Sequence, residues 1–306
     1  MLILHIFFAL LGLFVLLKAA EVFAGQATSL AAKLKISSFV VGFTIVAGGT
    51  SLPELVVCTY SSIIGHSDVA VSAVVGSNIA NLCLILGLLA LYKTYRLTAK
   101  DVHVNLPANS IAILVFLCLL LWFNLMVSWE MGLVLMVLFF IFILVANKGN
   151  HAQALVAKGH FRLITFVGAL AVLLVAGKVC IDSVIAVAND LNIAETMLGY
   201  FFVAIGTSLP ELVTSFVAIK SGDEELSIGN VMGSSLFNLF FIVGLSSFFT
   251  DLDFSGTLYG VGFMALATVL TLIFALTGKR YYFSKKEAVG LLAIYLLFAV
   301  TQIVKG

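Results

Sequence analysis

Gly49-Thr50-Ser51-Leu52-Pro53-Glu54-Leu55-Val56 returns unchanged as Gly206-Thr207-Ser208-Leu209-Pro210-Glu211-Leu212-Val213, 157 positions further along the chain. Each copy places a glutamate directly after a proline, inside an apolar segment long enough to cross a bilayer. A charge at the centre of a membrane helix costs roughly 2.5–3.5 kcal/mol on insertion scales, so two such glutamates mark a functional site. Proline supplies the means of building one. It has no N–H, so the carbonyls of Gly49 and Gly206 lose their helical partners, and it drives the preceding Leu52 and Leu209 out of the helical region. The expected result is a helix broken at mid-membrane, with spare carbonyl oxygens and a Thr-Ser hydroxyl pair beside a carboxylate. Such backbone persists in a bilayer only where protein buries it or it lines a wet cavity. Two of the chain's three prolines stand at these positions.

The surrounding composition agrees. The 306 residues are 62% hydrophobic and 10% charged, against roughly 25% charged in soluble domains, which indicates a polytopic membrane protein. The net charge is +1 and the basic residues form no patch with interleaved aromatics, so nucleic acid is not an expected partner. Cys58, Cys83, Cys118 and Cys180 are isolated in apolar segments without metal-ligand spacing and read as small buried hydrophobes. An apolar run starts at Leu2 with no basic residue ahead of it, which favours a first span over a cleaved leader.

Apolar runs of about 20 residues predict membrane spans, here ten: 3–26, 37–64, 69–92, 103–124, 129–147, 162–189, 195–220, 226–249, 257–277 and 286–304. Alternate loops carry Lys33 and Lys35; Lys93, Arg96 and Lys100; Lys148, Lys158 and Arg162; Lys220; and Lys279, Arg280, Lys285 and Lys286, whereas the opposite side has only Lys305. By the positive-inside rule both termini lie outside a plasma membrane, and the central loop is cytoplasmic. Trp122 and Trp129 flank an outer loop, as an interfacial aromatic belt would have them.

The repetition extends beyond the octapeptide. Gly42 pairs with Gly199, Ala47 with Ala204, Gly76-Ser77 with Gly233-Ser234, Asn81 with Asn238 and Gly87 with Gly244, all at the same offset of 157 without a gap. This is an internal duplication. An odd number of spans per half turns the second copy upside down relative to the first. The predicted fold is therefore an all-α polytopic membrane protein of ten transmembrane helices in two inverted five-helix repeats, 1–147 and 162–306, joined by a short linker over 148–161. Secondary transporters share this plan, with the site at the midplane where the halves meet.

A second repeated pattern is Gly-Ser-Asn-Ile-Ala-Asn at 76–81 and Gly-Ser-Ser-Leu-Phe-Asn at 233–238. Ser77 with Asn81, and Ser234 with Asn238, share a helix face, as do Thr50 with Glu54 and Thr207 with Glu211. Each half thus offers two oxygen-bearing faces. Asn78 and Ser235, which differ between the copies, read instead as small polar residues that let helices pack. Lys178 and Asp182, four apart, are expected to form an ion pair. Lys18 and Glu21 lie near a span end, where a lysine can snorkel. The histidines sit in loops or near span ends, so no buried proton relay is evident.

Two carboxylates with hydroxyls, amide oxygens and freed carbonyls, and no thiolate or imidazole, make a hard all-oxygen site. It suits calcium or sodium and would serve zinc or copper poorly. Two carboxylates close together in low dielectric repel, so cations or protons must occupy the site. One divalent ion and two or three monovalent ions then compete for the same oxygens, which is a physical basis for exchange.

At these residues the chain resembles the sodium/calcium exchanger family of the calcium/cation antiporter superfamily, over nearly its whole length. The resemblance implies calcium coordinated by Glu54, Glu211, Thr50 and Thr207. It implies sodium held by Ala47, Ser51, Ser77, Ala204, Ser208 and Ser234 with both glutamates, and Asn81 and Asn238 lining the middle. Spans one and six would slide against the rest to alternate access. Calcium and sodium are then cargo, the bilayer is the surrounding medium, no cofactor is expected, and the protein is not an enzyme. Family members commonly carry Gly-Asn ahead of Gly-Ser in both halves; here Gly229-Asn230 keeps it and Ser72-Ala73 does not. A neutral Asn238, where the potassium-dependent branch has aspartate, implies no need for potassium. A calcium/proton antiporter is the alternative within the superfamily. An intramembrane serine hydrolase built on Ser51 or Ser208 lacks a Lys or His base at comparable depth.

Overall fold

The computed structural model describes residues 1–33, 47–97, 102–103, 106–147, 161–220, 224–277 and 282–305. The protein is mostly helical, and among the described residues seven helical segments are long and apolar enough to cross a membrane: Leu2–Phe23, Ser67–Tyr92, Leu163–Leu191, Glu195–Lys220, Ser227–Ser246, Ser255–Thr277 and Lys285–Val304. Leu106–Trp122 and Trp129–Leu144 are shorter apolar helices, and the proline-bearing helix of the first copy runs from Leu52 to Ile63. Span ends predicted from hydropathy fall within three residues of the observed ones wherever both are described. The linker over 148–160 and the start of the second span, 37–46, lie outside the described residues.

In chain order the helices are α1 (Leu2–Lys33), α2 (Ala47–Thr50), α3 (Leu52–Ile63), α4 (Ser67–Ile79), α5 (Leu86–Tyr92), α6 (Leu106–Trp122), α7 (Trp129–Asn147) and α8 (Leu163–Leu191). They continue with α9 (Glu195–Leu198), α10 (Ala204–Thr207), α11 (Leu209–Lys220), α12 (Glu224–Leu236), α13 (Val243–Ser246), α14 (Leu258–Thr277) and α15 (Lys285–Lys305). Burial sorts these into a core and a rim. The Ser67–Tyr92 and Ser227–Ser246 windows are each 83% buried, whereas Leu2–Phe23 is 22% and Leu163–Leu191 33% buried. The inner pair carries the repeated Gly-Ser motifs, and α1 and α8 pack against each other outside it. Phe7, Phe14, Ile164, Val175, Leu296 and Val300 point outward, an apolar surface suited to lipid and not to water. Cys118 belongs to that surface: Cys58, Cys83 and Cys180 are buried as expected, but Cys118 is exposed. In a membrane protein an apolar neighbourhood does not imply an interior one.

Close packing in the core uses the repeated glycines. A Cβ on Gly76 would lie 2.8 Å from Ala204 Cβ and 3.0 Å from the Tyr200 carbonyl oxygen. Gly244 and Gly132 bring α13 and α7 together, each Cβ position lying within 2.8 Å of the other's carbonyl oxygen. Small residues of this kind let membrane helices approach to backbone contact.

Short strands outside the helices tie the halves together. β1 (Tyr95–Arg96) pairs antiparallel with β4 (Tyr282–Phe283), and β2 (Met126–Val127) with β3 (Leu252–Asp253). Adding 157 to Tyr95 gives Leu252, and adding it to Met126 gives Phe283, so one ribbon maps onto the other to within one residue of register. Each ribbon takes one strand from each half.

Candidate functional site

The helix through each octapeptide is interrupted at a single residue, and that residue is the serine. Ser51 has φ −85° and ψ 11°, and Ser208 has φ −82° and ψ 3°, the sparsely populated bridge region between helix and strand. On both sides the hydrogen-bond ladder continues: Ser51 N to Ala47 O at 2.9 Å, Leu55 N to Ser51 O at 3.0 Å, Ser208 N to Ala204 O at 3.1 Å and Leu212 N to Ser208 O at 3.1 Å. This corrects two expectations. Leu52 and Leu209 are not displaced from the helix but open its next segment, and the break is a one-residue kink. The physical reason lies in position: proline in the first turn of a helix meets no carbonyl it must clash with and no acceptor it must satisfy, so the distortion passes back to the residue that ends the preceding turn.

The two kinks bring the carboxylates together through the opposite half. Ser51 Oγ donates to Glu211 Oε1 at 2.7 Å, and Ser208 Oγ donates to Glu54 Oε1 at 3.1 Å. Each serine therefore serves the glutamate of the other copy, not its own. Ser234 Oγ adds a 3.3 Å bond to Glu211 Oε1. Thr207 also faces the Glu54 carboxylate, and Thr50 faces that of Glu211. All of these side chains are buried. Among the described residues the second oxygens, Glu54 Oε2 and Glu211 Oε2, have no hydrogen-bond partner, and neither do Ser77 Oγ or the amide atoms of Asn81 and Asn238. Buried polar atoms are paired in the great majority of cases, so a cluster of unpartnered oxygens around two carboxylates is the donor set that a hard cation needs. Ala47 and Ala204 lie one turn before the kinks with their side chains fully buried; the Ala47 carbonyl also accepts from Thr50 Oγ1 at 3.1 Å.

Asn81 and Asn238 sit in a feature that hydropathy does not foretell. Ala80–Ile85 and Phe237–Ile242 are π-helical turns, placed at the same offset of 157. A π-turn inserts an extra residue per turn and is frequent at functional sites. Here it carries the two buried asparagines whose amides lack partners. A further π-turn spans Gly199–Val203, leading into Ala204.

Asn230 was flagged in the sequence only as one half's Gly-Asn, and the structure places it against the site. It is fully buried, its Oδ1 lies 3.3 Å from Thr50 Oγ1, and its Nδ2 lies 3.3 Å from the Glu211 carbonyl oxygen and 3.0 Å from Ser215 Oγ.

The other charged residues stand apart. Lys178 and Asp182 form the expected ion pair at 2.8 Å, and Tyr60 Oη joins both, accepting from Lys178 Nζ at 2.7 Å and donating to Asp182 Oδ1 at 3.1 Å. Lys18 pairs with Glu21 at 2.9 Å. His5 meets Asp190 at 2.7 Å, and His66 meets Glu195 at 2.8 Å, near helix ends. Among the described residues no group of three or more His, Cys, Asp or Glu comes together. Ser51 and Ser208 each donate to a carboxylate across the halves.

Among known proteins, the profile of the family described as "Sodium/calcium exchanger protein" matches residues 4–147 and residues 161–304. Sodium/calcium exchanger MaX1 of Methanosarcina acetivorans is 30% identical over 343 residues, covering 95% of this chain and 96% of its own. Inner membrane protein YrbG of Escherichia coli is 28% identical, with 92% and 91% covered. Among solved structures, the sodium-calcium exchanger NCX_Mj soaked with sodium and calcium matches with a TM-score of 0.71 at 27% identity, over 97% of this chain and 98% of that one.

Proposed function

We propose that this chain, which belongs to the sodium/calcium exchanger family, is a multi-pass antiporter that exchanges sodium for calcium by alternating access at a central site built on Glu54 and Glu211. The observation that carries the proposal is the reciprocal bonding of Ser51 to Glu211 and Ser208 to Glu54. It makes one site out of two halves and leaves one carboxylate oxygen on each side without a hydrogen bond. Calcium takes six to eight oxygens at flexible geometry, and Glu54, Glu211, Thr50 and Thr207 offer the first of them. Ser51, Ser77, Ser208 and Ser234, with the carbonyls of Ala47 and Ala204, supply neutral oxygens for sodium, while Asn81 and Asn238 line the space between.

Competition for shared oxygens makes the exchange obligatory. An empty site holds up to two negative charges at low dielectric, which opposes any conformational change that buries it. Neutralised by one calcium or by two or three sodium ions, the site can close. The two-ribbon arrangement supports the inverted repeat of ten crossings: a strand pair needs an even number of crossings between its members, and ten spans place four between β2 and β3 and six between β1 and β4. With the basic loops inside, both termini then lie outside the plasma membrane. The peripheral pair α1 and α8, little enclosed by the rest, is the natural moving part.

The test is calcium uptake into proteoliposomes under an imposed sodium gradient, compared with an imposed proton gradient and with potassium replaced by choline. Sodium-driven uptake that persists without potassium is the expected result. Uptake driven only by the proton gradient would reassign the coupling ion to the proton, and flux that ignores every gradient would indicate conduction.

A further inference from the structure

Asn230 stands out from the duplication. The residue 157 positions before it is Ala73, so nothing in the first half matches it. Its partners fix how the amide is turned. The Glu211 carbonyl can only accept a hydrogen bond, so the NH2 group faces it and the amide oxygen is left for the Thr50 hydroxyl.

Thr50 and Thr207 occupy equivalent places, and among the described residues Thr50 also meets the side-chain amide of Asn230. Thr207 Oγ1 donates to Val203 O at 2.8 Å, one turn back in its own helix. Thr50 Oγ1 has a longer bond to Ala47 O, 3.1 Å, and shares its proton with Asn230 Oδ1 of the other half at 3.3 Å. A hydroxyl has one proton, and the acceptor that takes it decides where the lone pairs point. The Thr50 hydroxyl is therefore held both by its own helix and, across the halves, by Asn230.

We propose that Asn230 is a positioning residue of the cation site: by accepting a hydrogen bond from Thr50 it leaves the Thr50 lone pairs for the bound calcium. This rests on the function proposed above and adds to it a dependence of a first-half ligand on a second-half amide. Partners that orient metal ligands from behind typically change affinity by about 10–100-fold when removed.

The experiment is calcium titration of the purified full-length protein by calorimetry, together with flux at saturating calcium. Asn230→Ala, which installs the residue the first half already has, is expected to weaken calcium binding about tenfold while leaving saturated flux within about twofold. Thr50→Val removes the hydroxyl, and in that background Asn230→Ala should cost nothing more; additive losses would overturn the proposal, because Asn230 would then be acting elsewhere. Ser215→Ala removes another Asn230 partner without touching Thr50, and an equal loss there would also overturn it, assigning Asn230 to bracing α11 against α12. Asn230→Ser keeps a polar atom near Ser215 but is too short to reach Thr50, and it serves if Asn230→Ala does not accumulate. Wild-type affinity in either folded variant refutes the assignment. Absence of calcium binding by the unsubstituted protein overturns both proposals, whereas loss in Glu54→Gln with none in Asn230→Ala overturns this one alone.

Discussion

The helices α3 and α4 of the first half and α11 and α12 of the second descend from one motif but are not filled alike. Where the first half has Cys58, Ala70 and Ala73, the second has Ser215, Ser227 and Asn230. Cys58 Sγ makes one weak contact, 3.6 Å to the Ala70 carbonyl, whereas Ser215, Asn230 and the Glu211 carbonyl form a connected polar chain. The same imbalance reaches the carboxylates: Glu211 Oε1 accepts from both Ser51 and Ser234, whereas Glu54 Oε1 accepts from Ser208 and, among the described residues, Ser77 Oγ has no partner. Pseudo-symmetry supplies two similar glutamates, and the divergence of their neighbours makes one better held than the other. A transporter whose faces meet different ion concentrations has a use for such a difference.

Four substitutions probe the comparison. Replacing either glutamate should have the largest effect: Glu54→Gln and Glu211→Gln are each expected to reduce sodium-driven calcium flux by more than about 100-fold. Removing a buried charge from its partners costs about 3–5 kcal/mol, and each 1.4 kcal/mol is tenfold. Flux retained in only one of the two would show that the halves do not share a site. Next come the serines. A hydrogen bond to a charged group contributes about 1.5–3 kcal/mol, so Ser51→Ala should weaken calcium binding by at least about tenfold. Ser208→Ala, which removes the longer bond, should weaken it less; calorimetry giving equal losses would erase the asymmetry.

Packing offers a third contrast. A Cβ on Gly244 would meet Met136 Cγ at 2.7 Å and the Gly132 carbonyl at 2.8 Å, while on Gly87 it would meet Leu292 side-chain atoms at 2.8 and 3.0 Å and the Ala288 carbonyl only at 3.4 Å. Backbone yields less than a leucine tip, so Gly244→Ala should lower stability by about 1–3 kcal/mol and Gly87→Ala by less. Thermal unfolding in detergent ranks them, and the reverse order would break the comparison. The smallest effect is expected at Tyr60. Lys18 and Glu21 pair within α1, but in the second half Lys178 and Asp182 also engage Tyr60 of α3. Exposed ion pairs contribute little, so Tyr60→Phe should alter calcium flux by less than about threefold. A larger change in initial rates would mean that this cluster restrains α8.

Much of the architecture was legible before any coordinates, because a membrane imposes length and hydropathy on each helix and a duplicated Pro-Glu admits few explanations. That the two motifs meet, Ser51 with Glu211 and Ser208 with Glu54, was legible for the same reason. Other features left weaker traces. The π-turns at Ala80 and Phe237 have no hydrophobic period of their own, since burial of the whole segment removes the contrast between faces. The kink falls on serine and not leucine because proline fits the first turn of the following helix, which keeps Leu52 helical and leaves the irregular backbone to Ser51. Asn230 did leave a sign, the Gly-Asn present in one half and missing from the other, but a difference between repeats marks a position without saying what it touches.

The ribbons carry a consequence for how the chain is made. Tyr95–Arg96 and Met126–Val127 are synthesised in the first half, and their strand partners Tyr282–Phe283 and Leu252–Asp253 belong to the second. A ribosome that has delivered the chain as far as Asn147 has therefore delivered two strands with nothing to pair with. Those edges wait, solvated by water and headgroups, until the remaining helices insert. The polypeptide is thus not divided at its middle into units that fold in turn, and a chain that loses its second half is left with exposed strand edges.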